Sequence, residues 1–366
     1  MVNATIAVLP PGTHELVLKE IDLPEPGPFE VLVEQISFGV CHSQLDRIFD
    51  PTRPDAMLLG HESIARVLAV GESVDYVRPG DQVFTTWIPR TPELGRPPIP
   101  STLTFPDGTV AKTHNTFTWG THSLIDEQWV VKVPDGGADP DLGSIIGCAL
   151  MTGAGAVMNS AALKPGQSVA VWGVGGVGLC SIRAASVLGA ETIVAVDVND
   201  EKLALAIEFG ATHGVNARTT DAVAEIRALT PHSDGTAGVD VGIDCTGIGA
   251  NIPTSLAAVR PGVSGAGTRG GTDVLVGIPR KPFELDSFDL LRGEKSLAGS
   301  VGGSTQPERD FATFVDWSRQ GLFDAGRLVT DRYALDEIND AVDALHHGRV
   351  TGRAVVDMTG AGSRAR

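Results

Sequence analysis

The apolar run Ser168-Val-Ala-Val-Trp172 passes directly into Gly173-Val-Gly175-Gly176-Val-Gly178. No other stretch of the chain restricts the fold so narrowly. A continuous apolar run fits a strand buried on both faces, as in a parallel sheet covered by helices. Beyond the glycines, Val177, Cys180, Ala184, Val187 and Leu188 recur at helical spacing, and Gly189 closes that helix. Thr192-Ile-Val-Ala-Val-Asp197 is then the next strand. Further strands are expected at 212–216, 239–244, 273–277 and 296–301, with helical patterns at 200–209, 219–229 and 251–259. Strands alternating with helices in this way predict a doubly wound parallel sheet, the Rossmann architecture.

The glycine pattern carries chemistry because of where it lies. Glycines between a strand and a helix let the backbone turn tightly, and a pyrophosphate can then sit against the amides at the helix N-terminus. Asp197 ends the second strand 19 residues after Gly178. A carboxylate there accepts hydrogen bonds from the ribose hydroxyls and repels a 2′-phosphate, which selects NAD over NADP.

The remainder of the 366 residues suggests a second domain. The first 150 residues are β-rich, with runs at 30–34, 64–70 and 82–86 between Pro and Gly turns. The Pro-rich stretch 89–114 reads as an irregular surface lobe. The tail carries an amphipathic helix near 335–346 and a final strand at 353–358.

A formal charge of -17 disfavours nucleic acid and anionic membrane as partners. The stretch 168–190 is interrupted by five glycines and Arg183, so no transmembrane helix is expected, and the N-terminus lacks the pattern of a signal peptide. Cys41, Cys148, Cys180 and Cys245 lie far apart, which is poor material for a disulfide framework and fits a cytoplasmic location. Spacing alone does not link any of them to a metal. A lone Cys is usually a small core hydrophobe.

The order of motifs does more. Gly39-Val-Cys41-His42-Ser43, then Gly60-His61-Glu62, Ile146-Gly-Cys148, the glycine loop and Val194-Ala-Val-Asp197 together resemble the zinc-dependent medium-chain alcohol dehydrogenase family. The resemblance spans nearly the whole chain. It implies a GroES-like catalytic domain of residues 1–149 and 302–366 with an NAD-binding Rossmann domain, 150–301, inserted. It implies Cys41, His61 and Cys148 as ligands of one catalytic zinc, a donor set that leaves a fourth tetrahedral position for substrate. Glu62 is then a carboxylate beside the metal, and Ser43 the hydroxyl that passes the proton from the substrate. His42 and Arg353 would face the cofactor pyrophosphate, Thr152 the nicotinamide, and Lys202 the adenosine ribose. Gly173, Gly175, Gly176, Val177, Gly178 and Val276 would complete the cofactor contacts.

Three positions depart from the family. No cysteine occurs in 88–147, so no second, structural zinc is expected. Gln44 stands where an aspartate commonly supports the zinc histidine, and Asp46 where a histidine commonly relays protons. Trp87 aligns with an aromatic wall of the substrate cleft, and Phe117, Trp119, Ile48 and Phe49 are candidate walls. The implied activity is hydride transfer between NAD(H) and a small to medium alcohol, aldehyde or ketone. Asp46 suggests an alternative, reduction of activated C=N or C=C bonds; a non-catalytic dinucleotide-binding relative is a third class. The strand at 296–301 matches one that pairs between subunits in family dimers and tetramers. The glycine-rich segment 262–271 has no assigned role.

Overall fold

A computed structural model describes residues 1–91 and 95–360. The chain divides into two compact units, residues 1–148 with 306–366, and residues 149–305.

The first unit is built on two sheets. One runs in the order Val17–Leu23, Val2–Leu9, Ala56–Leu58, Val110–Lys112, Thr102–Thr104. The other runs Val130–Lys132, Gln82–Thr85, Ser63–Val70, Glu30–Val40, Arg353–Asp357, Val329–Tyr333, with His122–Asp126 also on Glu30–Val40. Glu30–Val40 is the organising strand. It pairs antiparallel with Ser63–Val70, His122–Asp126 and Arg353–Asp357, so the tail is built into the sheet that carries Cys41 at its end. Ile6, Val8 and Leu58 from the first sheet, with Phe105 and Phe117 outside its strands, meet Leu32 and Leu124 from the second in one core.

Two short strands correct the expected irregular lobe. Thr102–Thr104 and Val110–Lys112 pair antiparallel around the Asp107-Gly108 turn, and Leu103, Phe105 and Ala111 are buried. Three-residue strands give too little alternation to be seen in a sequence. The lobe is tied down by charge. Arg96 forms a two-pronged pair with Asp126 at 2.7 and 3.2 Å and also reaches Glu127 at 3.1 Å. Arg90 reaches Glu127 at 3.2 Å and lies 3.4 Å over the Tyr76 ring.

The second unit is a six-stranded parallel sheet in the order His213–Asn216, Thr192–Asp197, Ser168–Trp172, Val241–Asp244, Thr272–Leu275, Ser296–Gly299. Its order is that of the Rossmann fold, and nucleotides bind where the order reverses beside the first strand. Every residue of Ser168–Trp172 is buried, as its unbroken apolar run requires. The helix Gly176–Val187 turns a different face inward from the expected one: Leu179, Ile182 and Ala185 are buried with Cys180 and Ala184, while Val177, Val187 and Leu188 are half-buried.

Ala149 and residues 302–305, expected in the catalytic domain, belong to this unit. Thr305 Oγ1 donates to the Met151 carbonyl at 2.8 Å, and Asn159 Nδ2 to the Gly303 carbonyl at 3.4 Å. Segment 262–271 closes on itself through a Val263–Thr268 bridge. Among the described residues, one helical run, Pro140–Ser160, is long and apolar enough to cross a membrane by length and composition. Its most apolar window is 83% buried within the protein, so its apolar surface packs the interior.

Candidate metal centre and dinucleotide loop

Three chain segments converge in the first unit. Cys41 leaves the end of Glu30–Val40 and enters the single turn His42–Gln44. His61 and Glu62 occupy the link between Ala56–Leu58 and Ser63–Val70. Cys148 lies in the π-helical turn Ile146–Leu150, a geometry that recurs at functional sites because it re-aims side chains. The ligand atoms of Cys41, His61, Glu62 and Cys148 all lie within 4.8 Å of one another, and all four residues are buried.

Two observations test whether a zinc ion fits. Cys41 Sγ and Cys148 Sγ are 3.7 Å apart. Two thiolates at about 2.3 Å from a tetrahedral ion stand about 3.8 Å from each other. His61 Nε2 is buried and has no hydrogen-bond partner among the described residues. Buried polar atoms are rarely left in that condition without a missing partner. The donor set fits.

Charges around the centre are mutually arranged. Arg353 and Glu62 form an ion pair, with Glu62 wholly buried and Arg353 6% exposed. Gly39 makes room for it: a Cβ there would stand 2.6 Å from Glu62 Oε1 and from the Ser144 carbonyl. The Cys41 thiol is held well below its usual pKa, first by a hydrogen bond from Cys148 and then by His61. Sharing that proton pushes the Cys148 thiol up. Burial works against a charged His61, but the neighbouring Cys41 sulfur outweighs it and raises its pKa. Ser43 Oγ donates to Cys41 Sγ at 3.3 Å. Gln44 Nε2 lies 2.8 Å from His61 Nδ1.

In the second unit, Gly178 permits the tight strand-to-helix turn, since a Cβ there would fall 2.1 Å from the Gly173 carbonyl. Asp197 does more than end its strand. It accepts from Val174 N at 2.9 Å, Val198 N at 2.7 Å and Asn199 N at 3.1 Å, which fixes the glycine loop against the second strand. Gly175, Gly176 and Val177 are half-buried at the start of the helix. Lys202 is half-buried in Asp200–Glu208, and Val276 N donates to the Asp244 carbonyl at 2.9 Å. Thr152 is half-buried, and its Oγ1 has no partner among the described residues.

The other expected site residues range from wholly buried to exposed. Arg353, expected at the pyrophosphate, is buried and paired with Glu62. The need was visible in principle, because a buried carboxylate requires a paired cation, but no sequence rule names a partner 291 positions away. Ile48, Phe117 and Trp119 are wholly buried in the apolar cores, so packing accounts for all three. Phe49 stacks on His346 with ring centroids 4.0 Å apart. Trp87 is half-buried, and its Nε1 lacks a partner among the described residues. His42 and Asp46 are exposed.

Comparison with known proteins agrees with this geometry. Residues 27–135 match the alcohol dehydrogenase GroES-like domain, and residues 176–320 match the zinc-binding dehydrogenase domain. The chain is 32% identical to a geraniol dehydrogenase of Castellaniella defragrans, over 95% of this chain and 96% of that protein. It is 30% identical to an S-(hydroxymethyl)glutathione dehydrogenase of Escherichia coli, over 95% and 97% of the two chains. The crystal structure of benzyl alcohol dehydrogenase from Acinetobacter calcoaceticus superposes with a TM-score of 0.84 at 29% identity, covering 98% of this chain and all of that one. With two motif-bearing domains matched and relatives aligned almost end to end, the chain belongs to the zinc-dependent medium-chain alcohol dehydrogenase family and is an oxidoreductase.

Proposed function

We propose that this chain oxidises primary alcohols of modest size, allylic or benzylic in character, and reduces the matching aldehydes with NAD(H). The observation that carries the proposal is the buried Cys41, His61 and Cys148 set with an unpartnered His61 Nε2. These three residues would hold one catalytic zinc. Bound there, zinc supplies a Lewis acid that lowers the pKa of a substrate hydroxyl. NAD supplies the hydride acceptor and would be held by the amides around Gly175–Gly178 and by Asp197.

The protein's own groups do the remaining work. Ser43, whose hydroxyl donates to the Cys41 sulfur, would receive the substrate proton. The Glu62–Arg353 pair keeps a carboxylate beside the centre without leaving an unpaired buried charge. Trp87 would wall the pocket and favour flat substrates. The relatives named for geraniol and benzyl alcohol support that class, because both alcohols are planar next to the carbinol carbon.

No structural zinc is proposed. Residues 88–147 hold no cysteine, and the Arg90, Arg96, Asp126 and Glu127 network ties the lobe. A cytoplasmic homo-oligomer is proposed as well. Ser296–Gly299 is an edge strand, and Phe288, Leu291 and Val301 near it are 64%, 76% and 71% exposed. Light scattering should show a dimer or tetramer that Phe288→Asp weakens; a monomeric wild type would exclude it.

The test is NADH formation from geraniol, benzyl alcohol and S-(hydroxymethyl)glutathione with NAD⁺. Turnover of the first two above the third is expected. NADH oxidation only by imines or activated alkenes, with no alcohol turnover, would replace this substrate class by the reductase alternative.

A further inference from the structure

The Gln44 side chain sits between two N–H groups that both need an acceptor once His61 binds a metal. Gln44 ends the turn His42–Gln44 and is half-buried. Its Oε1 accepts from the Gly60 backbone N–H at 3.2 Å. Its Nε2 lies 2.8 Å from His61 Nδ1. His61 is 6% exposed, and its other nitrogen is the one left unpartnered within the ligand cluster.

A neutral imidazole that gives its Nε2 lone pair to a metal keeps its proton on Nδ1. That Nδ1–H then points at the Gln44 amide. A carboxamide has one oxygen and one NH₂. Turned one way, its oxygen serves Gly60 and its NH₂ opposes His61 Nδ1–H; turned the other way, the oxygen serves His61 and the NH₂ opposes Gly60 N–H. Either orientation leaves one buried donor facing another donor. A carboxylate of the same length would accept from both.

We propose that Gln44 is a positioning residue that weakens the hold of His61 on zinc, because its single oxygen cannot satisfy both Gly60 N–H and His61 Nδ1–H. It rests on the zinc assignment made above. Outer partners of a ligand histidine set metal affinity within about 10–100-fold. Gln44→Glu therefore binds zinc about 10–100-fold more tightly than wild type. Gln44→Met, which offers no oxygen, binds more weakly than wild type.

The experiment is competition for zinc between each protein and a chromophoric chelator, with circular dichroism confirming the fold of each variant. NMR of the zinc-loaded proteins with labelled histidine and glycine supplies an independent readout. In wild type, one of His61 Nδ1–H and Gly60 N–H is shifted downfield and protected from exchange; in Gln44→Glu both are. A merely structural Gln44 would not place the Glu variant above wild type. The proposal is overturned if both protons are already protected in wild type, or if folded Gln44→Glu holds zinc within threefold of wild type. A wild type that takes up no zinc overturns the zinc assignment itself, and this inference with it.

Discussion

Asp273 should make the second unit less stable as pH rises, and Asp273→Asn should remove that dependence. The carboxyl is wholly buried on Thr272–Leu275, next to Gly242 of the paired strand, where a Cβ would come within 2.3 Å of its Oδ1. Ser255 Oγ donates to Oδ1 at 2.7 Å, while Oδ2 has no partner among the described residues. Burial, with a smaller contribution from the Asp244 charge, pushes its pKa from 3.8 to about 7. Below 3.8 the group is protonated in both folded and unfolded chains and contributes no pH dependence. Between 3.8 and about 7 the unfolded chain releases the proton and the folded one keeps it, so stability falls by about 1.4 kcal/mol per pH unit. Above about 7 the loss is complete, at about 4 kcal/mol. Asparagine keeps the shape without the titration. Its amide adds a cost for an unsatisfied buried N–H, but that cost is the same at every pH. Between pH 5 and 8 the variant should therefore gain about 3 kcal/mol on wild type. Thermal or urea unfolding of both proteins across that range measures the difference. A difference that stays flat with pH would refute the assignment of a buried neutral carboxyl.

Two further outcomes follow from the site and the lobe. Asp197→Ala removes the acceptor for three backbone N–H groups together with the carboxylate proposed to hold the ribose; each charge-assisted bond is worth about 1.5–3 kcal/mol. KM for NAD⁺ should rise about 10–100-fold and the preference over NADP⁺ should shrink, while an unchanged cofactor preference would remove Asp197 from the ribose site. Arg96→Met leaves Asp126, whose side chain is 1% exposed, without its cation, at a cost of about 3 kcal/mol. Limited proteolysis of the 95–126 lobe should accelerate in that variant and be unaffected by EDTA in wild type; protection lost to EDTA would place a metal in the lobe.

The parts of this protein that were legible in its sequence are those whose signals are local. The strand, glycine loop and Asp197 occupy 30 consecutive residues, 168–197, and each constrains the next, so fold and cofactor class could be read together. The proposed metal ligands carry no such local signal. Cys41 and Cys148 are 107 positions apart, and only the order of whole motifs, matched to a family, links them. What stayed hidden is pairwise and distant, or too short to have a period. Arg353 reaches Glu62 through the pairing of Arg353–Asp357 with Glu30–Val40, a register that no side-chain pattern in either strand specifies. The hairpin at 102–112 has three residues per strand. Phe117 and Trp119 could be pocket walls or core by composition, and only their burial decides.

The most direct test of the catalytic assignment is zinc per chain by elemental analysis of tag-free protein, comparing wild type with Cys148→Ala. One zinc per chain in wild type, falling to near zero in the folded variant, is the predicted result. No zinc in freshly purified wild type that still binds NADH would contradict a Lewis-acid centre at Cys41, His61 and Cys148.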